Sequence, residues 1–90
     1  MIMYKVRIKN SAKTDLKKIK YSKLRQNFDK VIQQLKEDPY RPNQGFEKLE
    51  SPMAKKYSRR INVQHRVVYT VNDESNVVTI YSAWSHYEHH

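Results

Sequence analysis

The chain has 90 residues, which is enough for one domain with a single core. It contains no cysteine, which excludes a disulfide scaffold, a thiolate metal site and a cysteine nucleophile, and fits a reducing cytoplasm. Eighteen basic against nine acidic residues give a formal net charge of +9, which favours a polyanionic partner, nucleic acid first. No stretch approaches the ~20 apolar residues of a membrane span, so no span is expected. A membrane surface or an acidic protein is the alternative to nucleic acid for so basic a chain, although we expect no membrane partner.

The first half of the chain predicts one strand and two helices. Residues 3–9 alternate apolar with polar side chains, as in a half-buried strand. Asn10 and Ser11 offer caps for a short amphipathic helix, and Ser22 offers a cap for a second helix with a longer apolar stripe. The second helix should end at Asp38, because a proline follows and disfavours helix in the residue before it.

The second half predicts a loop and then strands. Residues 40–46 carry two turn signals, and a short strand is expected around Leu49. Three further strands are expected at about 55–62, 65–72 and 76–84. The order predicts a two-layer α+β domain: an N-terminal strand, two helices on one face of an antiparallel sheet, then three C-terminal strands.

The assignment of side chains to the two faces of the sheet depends on two turns. A 72–76 turn that pairs Val71 with Val77 directs one set of side chains to the helices and leaves a second set on the open face. The set expected on the open face is Arg66, Val68, Ile80, Ser82, Trp84 and His86. A three-residue loop at 62–64 would place Arg60 opposite Arg66 on that face.

An arginine within a strand is costly unless an anion meets it or its stem covers apolar surface. Arg66 is the first candidate, because its planar guanidinium can hold a phosphate in a bidentate way. The alternative is a structural ion pair with Glu47 or Glu50. Arg60 and Arg66 would repel each other unless they share an anion, and the alternative is a solvated basic face.

Four more residues carry candidate chemistry. His86 can act as a general acid near neutral pH, although an exposed histidine often has no function. Glu47 is either a counter-ion or a general base. Trp84 and Tyr87 are suited to stacking on bases, or pack at the sheet edge. There is no glycine-rich phosphate loop and no zinc spacing, so no metal or cofactor is expected.

Several segments resemble one known family, the YoeB (Txe) toxins of the RelE superfamily. The segments are Tyr57-Ser58-Arg59-Arg60-Ile61, His65-Arg66-Val67-Val68-Tyr69, the terminal His86-Tyr87, and the upstream Pro42…Gly45…Glu47-x-Leu49. The resemblance covers most of the chain from about Tyr40 and implies a small RelE-like α+β domain. We expect this domain at residues 1–88, with 89–90 as the remnant of a purification tag.

The resemblance also implies a function. It implies a cytoplasmic, ribosome-dependent mRNA endoribonuclease that inhibits translation and cleaves through the 2′-hydroxyl by metal-independent acid–base chemistry. Glu47 resembles the general base, Arg66 the phosphate ligand, His86 the general acid and Tyr87 a substrate-positioning residue. Arg59 and Arg60 resemble contacts to the RNA backbone, and Trp84 is a further candidate for RNA binding. The partners expected are the ribosome, mRNA, a YefM-type antitoxin and a second copy of the chain.

The chain departs from the family pattern at two positions, and three alternatives to the implied mechanism and function are open. The family often has a basic residue where this chain has Glu50, and in some members where it has Trp84. The roles of base and acid can be exchanged between Glu47 and His86. A topoisomerase poison of the ParE type, or a non-catalytic module that binds RNA or antitoxin, could use the same fold, and neither needs the set of Glu47, Arg66 and His86.

Overall fold

The computed structural model describes residues 3–49 and 56–84. Its elements, in chain order, are β1 (Lys5–Ile8), α1 (Asn10–Lys20), α2 (Arg25–Glu37), β2 (Glu47–Leu49), β3 (Lys56–Arg60), β4 (Arg66–Asn72) and β5 (Val77–Ser82). The two-layer α+β prediction is confirmed, including the end of α2 just before Asp38. Within these ranges, no helix is long and apolar enough to cross a bilayer.

The five strands form one sheet in the order β1-β5-β4-β3-β2. Strands β2 to β5 pair antiparallel, as predicted. Strand β1 instead pairs parallel with β5, with Lys5 opposite Val77, so the sheet is mixed. The short β2 adds an outer strand beside β3, and its first residue is Glu47.

The core lies between the helices and one face of the sheet. Both helices contribute through residues four or seven apart, the spacing that aligns side chains on one helical face. The fully buried helical side chains are Ala12, Ile19, Val31 and Leu35. The sheet contributes Val67, Tyr69, Val78 and Ile80, all with no exposed surface.

The helix caps differ from the prediction. The residue that precedes α1 is Lys9, which makes no side-chain cap bond, while Ser11 Oγ donates to the Tyr81 carbonyl, 3.0 Å away. Ser22 does not cap α2, which begins three residues later. Its hydroxyl donates to the Ile19 carbonyl (2.9 Å) and accepts from the Leu24 amide (3.0 Å), so it closes the turn between the helices.

The predicted register between β4 and β5 was wrong by one residue. Asn72, not Val71, lies opposite Val77, because the turn is tighter than assumed. The Asn72 side chain accepts from two turn amides, and Asn76 takes a positive φ of 58° that closes the turn. Ile80 therefore faces the helices rather than the open face.

A β-bulge restores part of the predicted face. The register shifts between Val68 and Tyr69, so that Tyr69 is opposite Ile80 while Val68 is opposite Ser82. A bulge places one extra residue in one strand and re-aims the neighbouring side chains. Ser82 thus returns to the face of Val68, as predicted, although Ile80 does not share it.

The hairpin between β3 and β4 has the predicted three-residue loop. The Ile61 amide donates to the His65 carbonyl at 2.8 Å, which leaves Asn62, Val63 and Gln64 as the loop. The Asn62 carboxamide oxygen accepts from the amides of Gln64 (2.8 Å) and His65 (2.7 Å). Arg60 and Arg66 are therefore directly opposite each other in the ladder.

Candidate active site

Arg66 begins β4 and is held from three sides. Its Nε donates to Ser58 Oγ at 3.1 Å, and its Nη2 donates to the Gly45 carbonyl at 2.5 Å. The same Nη2 lies 3.4 Å from Glu47 Oε1. Only 8% of the Arg66 side chain is exposed, whereas 55% of the Glu47 side chain is exposed. The site thus combines a braced cation with an accessible carboxylate.

The strand register explains how these groups meet. Glu47 is opposite Ser58 across β2 and β3, and Ser58 is opposite Val68 across β3 and β4. Directly opposed side chains share a face, and Arg66 is on the same face as Val68 because they are two residues apart. Three adjacent strands therefore bring Glu47, Ser58 and Arg66 together, although they are far apart in sequence. The ion pair between Arg66 and Glu47, which is the alternative to phosphate binding by Arg66, is present.

Gly45 is the main-chain support of this site. Its φ of +62° lies in the left-handed region, as does the φ of +54° at Gln44. A Cβ added at Gly45 would lie 3.1 Å from Arg60 Cβ and 3.4 Å from Arg60 Nε. Glycine tolerates both this φ and this close approach, and its carbonyl then accepts from Arg66.

Arg60 is exposed and lies on the other side of the Gly45 turn. Its amide donates to the Gln44 carbonyl at 2.6 Å. Its side chain lines an open cavity of about 240 Å³, together with Asn27 and Lys30 from α2. Within residues 3–49 and 56–84, no carboxylate forms an ion pair with Arg60. The contact of Arg60 with an RNA phosphate stays a prediction.

Arg59 does not fit its predicted contact with RNA. It has no exposed surface, and its guanidinium donates to the carbonyls of Asn43 (3.0 Å) and Arg41 (2.9 Å), to the Asn43 side-chain oxygen (2.7 Å) and to the Tyr69 hydroxyl (3.1 Å). It also lies over the Phe46 ring, 4.9 Å from the centroid. Arg59 joins the loop before Gly45 to the sheet, and its buried guanidinium is committed to these contacts.

The alternation of side chains between the two faces of β3 could have indicated this structural role of Arg59 from the sequence. Arg59 is opposite Val67, which points to the helices, whereas Arg60 is opposite Arg66 on the other face. A buried cation needs several acceptors, and a loop of irregular main chain supplies carbonyls that no helix or sheet ladder uses. Burial raises the pKa of the neighbouring Tyr69 to about 12, although the nearby Arg59 charge opposes the shift. The Tyr69 hydroxyl donates to the Pro39 carbonyl at 2.6 Å.

Trp84 packs against His65 at the end of the described chain. The rings are stacked, with centroids 4.3 Å apart and planes at 22°, and His65 Nδ1 is hydrogen-bonded to the Trp84 carbonyl. Trp84 is half-buried, so one ring face is already covered. His86, Tyr87 and Glu50 lie outside the described residues, and their predicted roles stay predictions.

A cation fixed next to an accessible carboxylate is suited to reactions at phosphate. The guanidinium is already oriented, so it can stabilise developing negative charge without reorganising. The carboxylate is near enough to act on the same bound group, either as a base or as a counter-ion.

Solved structures share this fold. The chain is similar to the YoeB dimer from Staphylococcus aureus, with 28% identity over 94% of this chain and 99% of that chain and a TM-score of 0.80. It is similar to the YoeB/ParE toxin from Agrobacterium tumefaciens, with 25% identity over 92% of this chain and 99% of that chain and a TM-score of 0.82. The chain is also similar to a chain of the Staphylococcus aureus YoeB–YefM heterotetramer, with 29% identity over 93% of this chain and 98% of that chain and a TM-score of 0.77.

No curated protein sequence matches the chain. The family model that does match is that of the YoeB-like toxin of bacterial type II toxin–antitoxin systems, and the match runs over residues 9–87. Because this match covers most of the 90 residues, the chain belongs to the YoeB-like toxins of bacterial type II toxin–antitoxin systems.

Proposed function

We propose that this toxin is a ribosome-dependent mRNA endoribonuclease that cleaves by metal-independent acid–base chemistry. The observation that carries the proposal is the Glu47–Arg66 pair, in which an accessible carboxylate lies 3.4 Å from a braced guanidinium. The net charge of +9 supports attraction to RNA, with strong dependence on salt.

Arg66 acts on the phosphate that is cleaved. Its Nε donates to Ser58 and its Nη2 donates to Gly45, and these two hydrogen bonds fix the plane of the guanidinium. A phosphate oxygen that approaches the Glu47 side of this plane competes with the carboxylate for the guanidinium. Binding of substrate therefore frees Glu47 to accept a proton, while Arg66 stabilises the charge of the phosphorane.

Proton transfer completes the reaction. Glu47 removes the proton from the 2′-hydroxyl, whose oxygen attacks the adjacent phosphorus as the bond to the 5′ oxygen breaks. His86 protonates the departing 5′ oxygen, and Tyr87 positions the substrate. The products are a 2′,3′-cyclic phosphate and a 5′-hydroxyl. The ribosome contributes by holding mRNA in the in-line geometry that this attack needs.

Residues around this centre hold the RNA strand. Arg60 contacts an RNA phosphate on the far side of the Gly45 turn, where it is exposed and lines a cavity. Trp84 offers its uncovered ring face to a base, since stacking contributes ~1–3 kcal/mol per base.

The test is cleavage of mRNA on translating ribosomes by the purified protein, with the cut positions and end groups mapped. Glu47→Gln should lower kcat by about 10²–10⁴, the usual contribution of a general acid or base. Glu74→Gln, the same chemical change in the exposed β4–β5 turn, should leave kcat unchanged. Equal cleavage of free RNA would reject the ribosome requirement, and no cleavage of either substrate would reject the enzyme.

Growth inhibition by the same variants separates the rival functions. A topoisomerase poison or a non-catalytic binding module predicts that Glu47→Gln and His86→Ala leave growth inhibition intact. Loss of growth inhibition in both variants, with unchanged circular dichroism, supports the nuclease.

The order of base and acid can be assigned with a modified substrate. A 5′-bridging phosphorothiolate has a leaving group that needs no protonation. If His86 is the acid, this substrate restores the cleavage rate of His86→Ala and does not restore that of Glu47→Gln. Restoration of Glu47→Gln alone would exchange the two roles.

We also propose a YefM-type antitoxin and a second copy of the chain as partners. The proposal is supported by the Staphylococcus aureus relatives, which include a YoeB dimer and a YoeB–YefM heterotetramer. The basic charge of this chain suits an acidic antitoxin segment. Size-exclusion chromatography with light scattering, alone and with the antitoxin encoded beside the toxin, measures both assemblies.

A further inference from the structure

Tyr81 is the residue at which strand β5 bulges. Val68 is opposite Ser82, while the residue after Val68 is opposite Ile80, so Tyr81 is an extra residue in β5. Its carbonyl accepts from Ser11 Oγ at 3.0 Å, which holds the bulge against α1. A bulge redirects the side chain of the extra residue, and bulges are frequent beside active sites. The fold, rather than the simple alternation of the strand, thus directs the Tyr81 ring.

Two lysines meet on the Tyr81 ring. Lys9 Nζ lies 4.8 Å from the ring centroid, and Lys56 Nζ lies 5.1 Å from it. Lys9 directly follows β1 and Lys56 begins β3, so the two side chains approach from the two sides of β5. The face of a tyrosine ring attracts an ammonium group, and this attraction restrains two flexible side chains that would otherwise repel each other. Neither ammonium forms an ion pair with a carboxylate in the part of the chain that the structure describes.

The Tyr81 cluster, which consists of Tyr81, Lys9 and Lys56, shares a face of the sheet with the candidate active site. Lys56 is two residues before Ser58 in β3, so both side chains point to one face, about 7 Å apart along the strand. Ser58 Oγ accepts from Nε of Arg66, the cation of the site. One strand thus carries a lysine of the cluster and a support of Arg66, and an RNA strand bound at Arg66 can extend to the cluster.

The charge along this face gives the direction in which RNA leaves the active site. An open groove of about 540 Å³ runs from Tyr81 to Asp73 and Glu74 in the β4–β5 turn. The groove is therefore basic at the Tyr81 cluster and acidic at the turn. A phosphate is attracted to the first end and repelled from the second. The RNA strand should run between Arg66 and the Tyr81 cluster and stop short of the turn.

We propose that the Tyr81 cluster is a second phosphate-binding subsite, which holds a phosphate of the RNA strand beside the one that is cleaved. This subsite rests on the proposed nuclease function. Each ammonium has three N–H donors, so it can keep its contact with the ring while it donates to phosphate oxygens. Lys9 and Lys56 bind the phosphate in this arrangement, and Tyr81 is a positioning residue that keeps both lysines in place before RNA arrives.

The test of the lysines is the salt dependence of RNA binding. The probe is a short labelled RNA in which every 2′-hydroxyl is methylated, so that it cannot be cleaved. Its affinity is measured by fluorescence anisotropy between about 50 and 200 mM salt. Each phosphate contact on a single strand contributes about 0.7 to the slope of log K against log salt. Lys9→Met combined with Lys56→Met should lower the slope by this amount, which at about 0.1 M salt corresponds to about a five-fold loss of affinity.

A matched control removes the same net charge elsewhere. Lys5→Met combined with Lys36→Met takes away two exposed lysines, one in β1 near the β4–β5 turn and one on α2, and should leave the slope near that of the wild type. Equal reductions in the two double variants would overturn the subsite, because net charge alone would then explain binding. Lower affinity for the antitoxin with unchanged RNA binding in the Lys9 and Lys56 variant would also overturn it, since the cluster then binds protein.

The role of Tyr81 is tested without a change in charge, with circular dichroism showing that each variant is folded. Tyr81→Leu should lower the affinity for RNA by about two- to five-fold, because the lysines lose their restraint. Tyr81→Phe keeps the ring and should bind as the wild type does. If the ring acts through the lysines, adding Tyr81→Leu to the double lysine variant should cause no further loss. A further loss of the full size would indicate direct stacking of a base on Tyr81 and would overturn the positioning role.

Cleavage on ribosomes distinguishes failure of the subsite from failure of the nuclease. The double lysine variant should raise KM by about five-fold and change kcat less than about two-fold, because the contact is made equally before and during the reaction. A double lysine variant that binds RNA and cleaves it as the wild type does overturns the subsite and leaves the nuclease standing. Loss of RNA affinity in this variant, in a protein whose wild type cleaves nothing, supports RNA binding at the cluster and overturns the nuclease.

Discussion

Replacement of Gly45 by alanine should weaken both the fold and the site. An L-residue at φ of +62° costs roughly 1–2 kcal/mol relative to glycine. The new Cβ would also lie 3.1 Å from Arg60 Cβ, an atom that belongs to β3 and moves only with its main chain. Alanine restricts the unfolded chain more than glycine does, which offsets part of this cost. The expected net loss is about 1–2 kcal/mol in the free energy of unfolding.

A loss of this size is measurable by thermal denaturation. In a domain of this length it lowers Tm by about 4–16 °C. The effect on cleavage should exceed the effect on stability, because the Gly45 carbonyl accepts the 2.5 Å bond from Arg66 and shifts with the turn. We expect kcat of Gly45→Ala to fall by about 10-fold at a temperature where the protein is fully folded.

The neighbouring residue supplies a control in which stability should change little. Gln44 already has a φ of +54°, so Gln44→Gly relieves strain while it loosens the unfolded chain. These changes nearly cancel, and Tm should stay within about 3 °C of wild type. A Gly45→Ala protein as stable as wild type, or a Gln44→Gly protein that loses as much as Gly45→Ala, would refute the reasoning from positive φ.

Three further measurements test the buried groups and the register. Arg59→Met should lower the free energy of unfolding, measured by urea denaturation, by at least about 3 kcal/mol, because the acceptors around the buried guanidinium lose their donor. Arg60→Met should lower it by less than about 0.5 kcal/mol. Equal losses would contradict the placement of the two arginines. The raised pKa of Tyr69 means that its contribution to stability is present below pH 10 and is lost as pH rises toward 12. The slope of stability against pH in that window should therefore be shallower in Tyr69→Phe, and an unchanged slope would contradict the shift. Ile80→Ala should cost about 2–5 kcal/mol and Thr79→Ala less than about 0.5 kcal/mol, and the reverse order would restore the register that the sequence suggested.

The helices and the hairpin at 62–64 were predictable because their signals are local. The apolar spacing of α1 and α2 has one period, and the loop between β3 and β4 is short enough to fix which residues face each other. The register of β5 was not predictable in this way. Its sequence, Val-Val-Thr-Ile-Tyr-Ser, offers β-forming side chains on both faces, and the bulge that shifts the pairing leaves no mark in that alternation.

The site was predictable in part for a related reason. The residue types of Glu47 and Arg66 pointed to phosphate chemistry, and the resemblance joined them. What could not be read was which arginine the protein satisfies internally. The acceptors of Arg59 are mainly carbonyls of a loop, at Arg41 and Asn43, whose path depends on the folded structure. Arg59 and Arg60 have the same side chain, and their roles differ only because they lie on opposite faces of β3.

The parallel pairing of β1 with β5 bears on the order in which the sheet can form. Strand β1 precedes both helices, and its neighbour in the sheet is β5, so the bonds from Lys5 to Asn76 and from Lys9 to Ile80 form only after residues 76–80 have been made. Such pairings between distant segments form late, since loop closure must precede any gain. Strand β5 also lies beside β4, which carries Arg66. A nascent chain that lacks β5 therefore leaves β1 without its partner and exposes the edge of β4, the strand that carries Arg66.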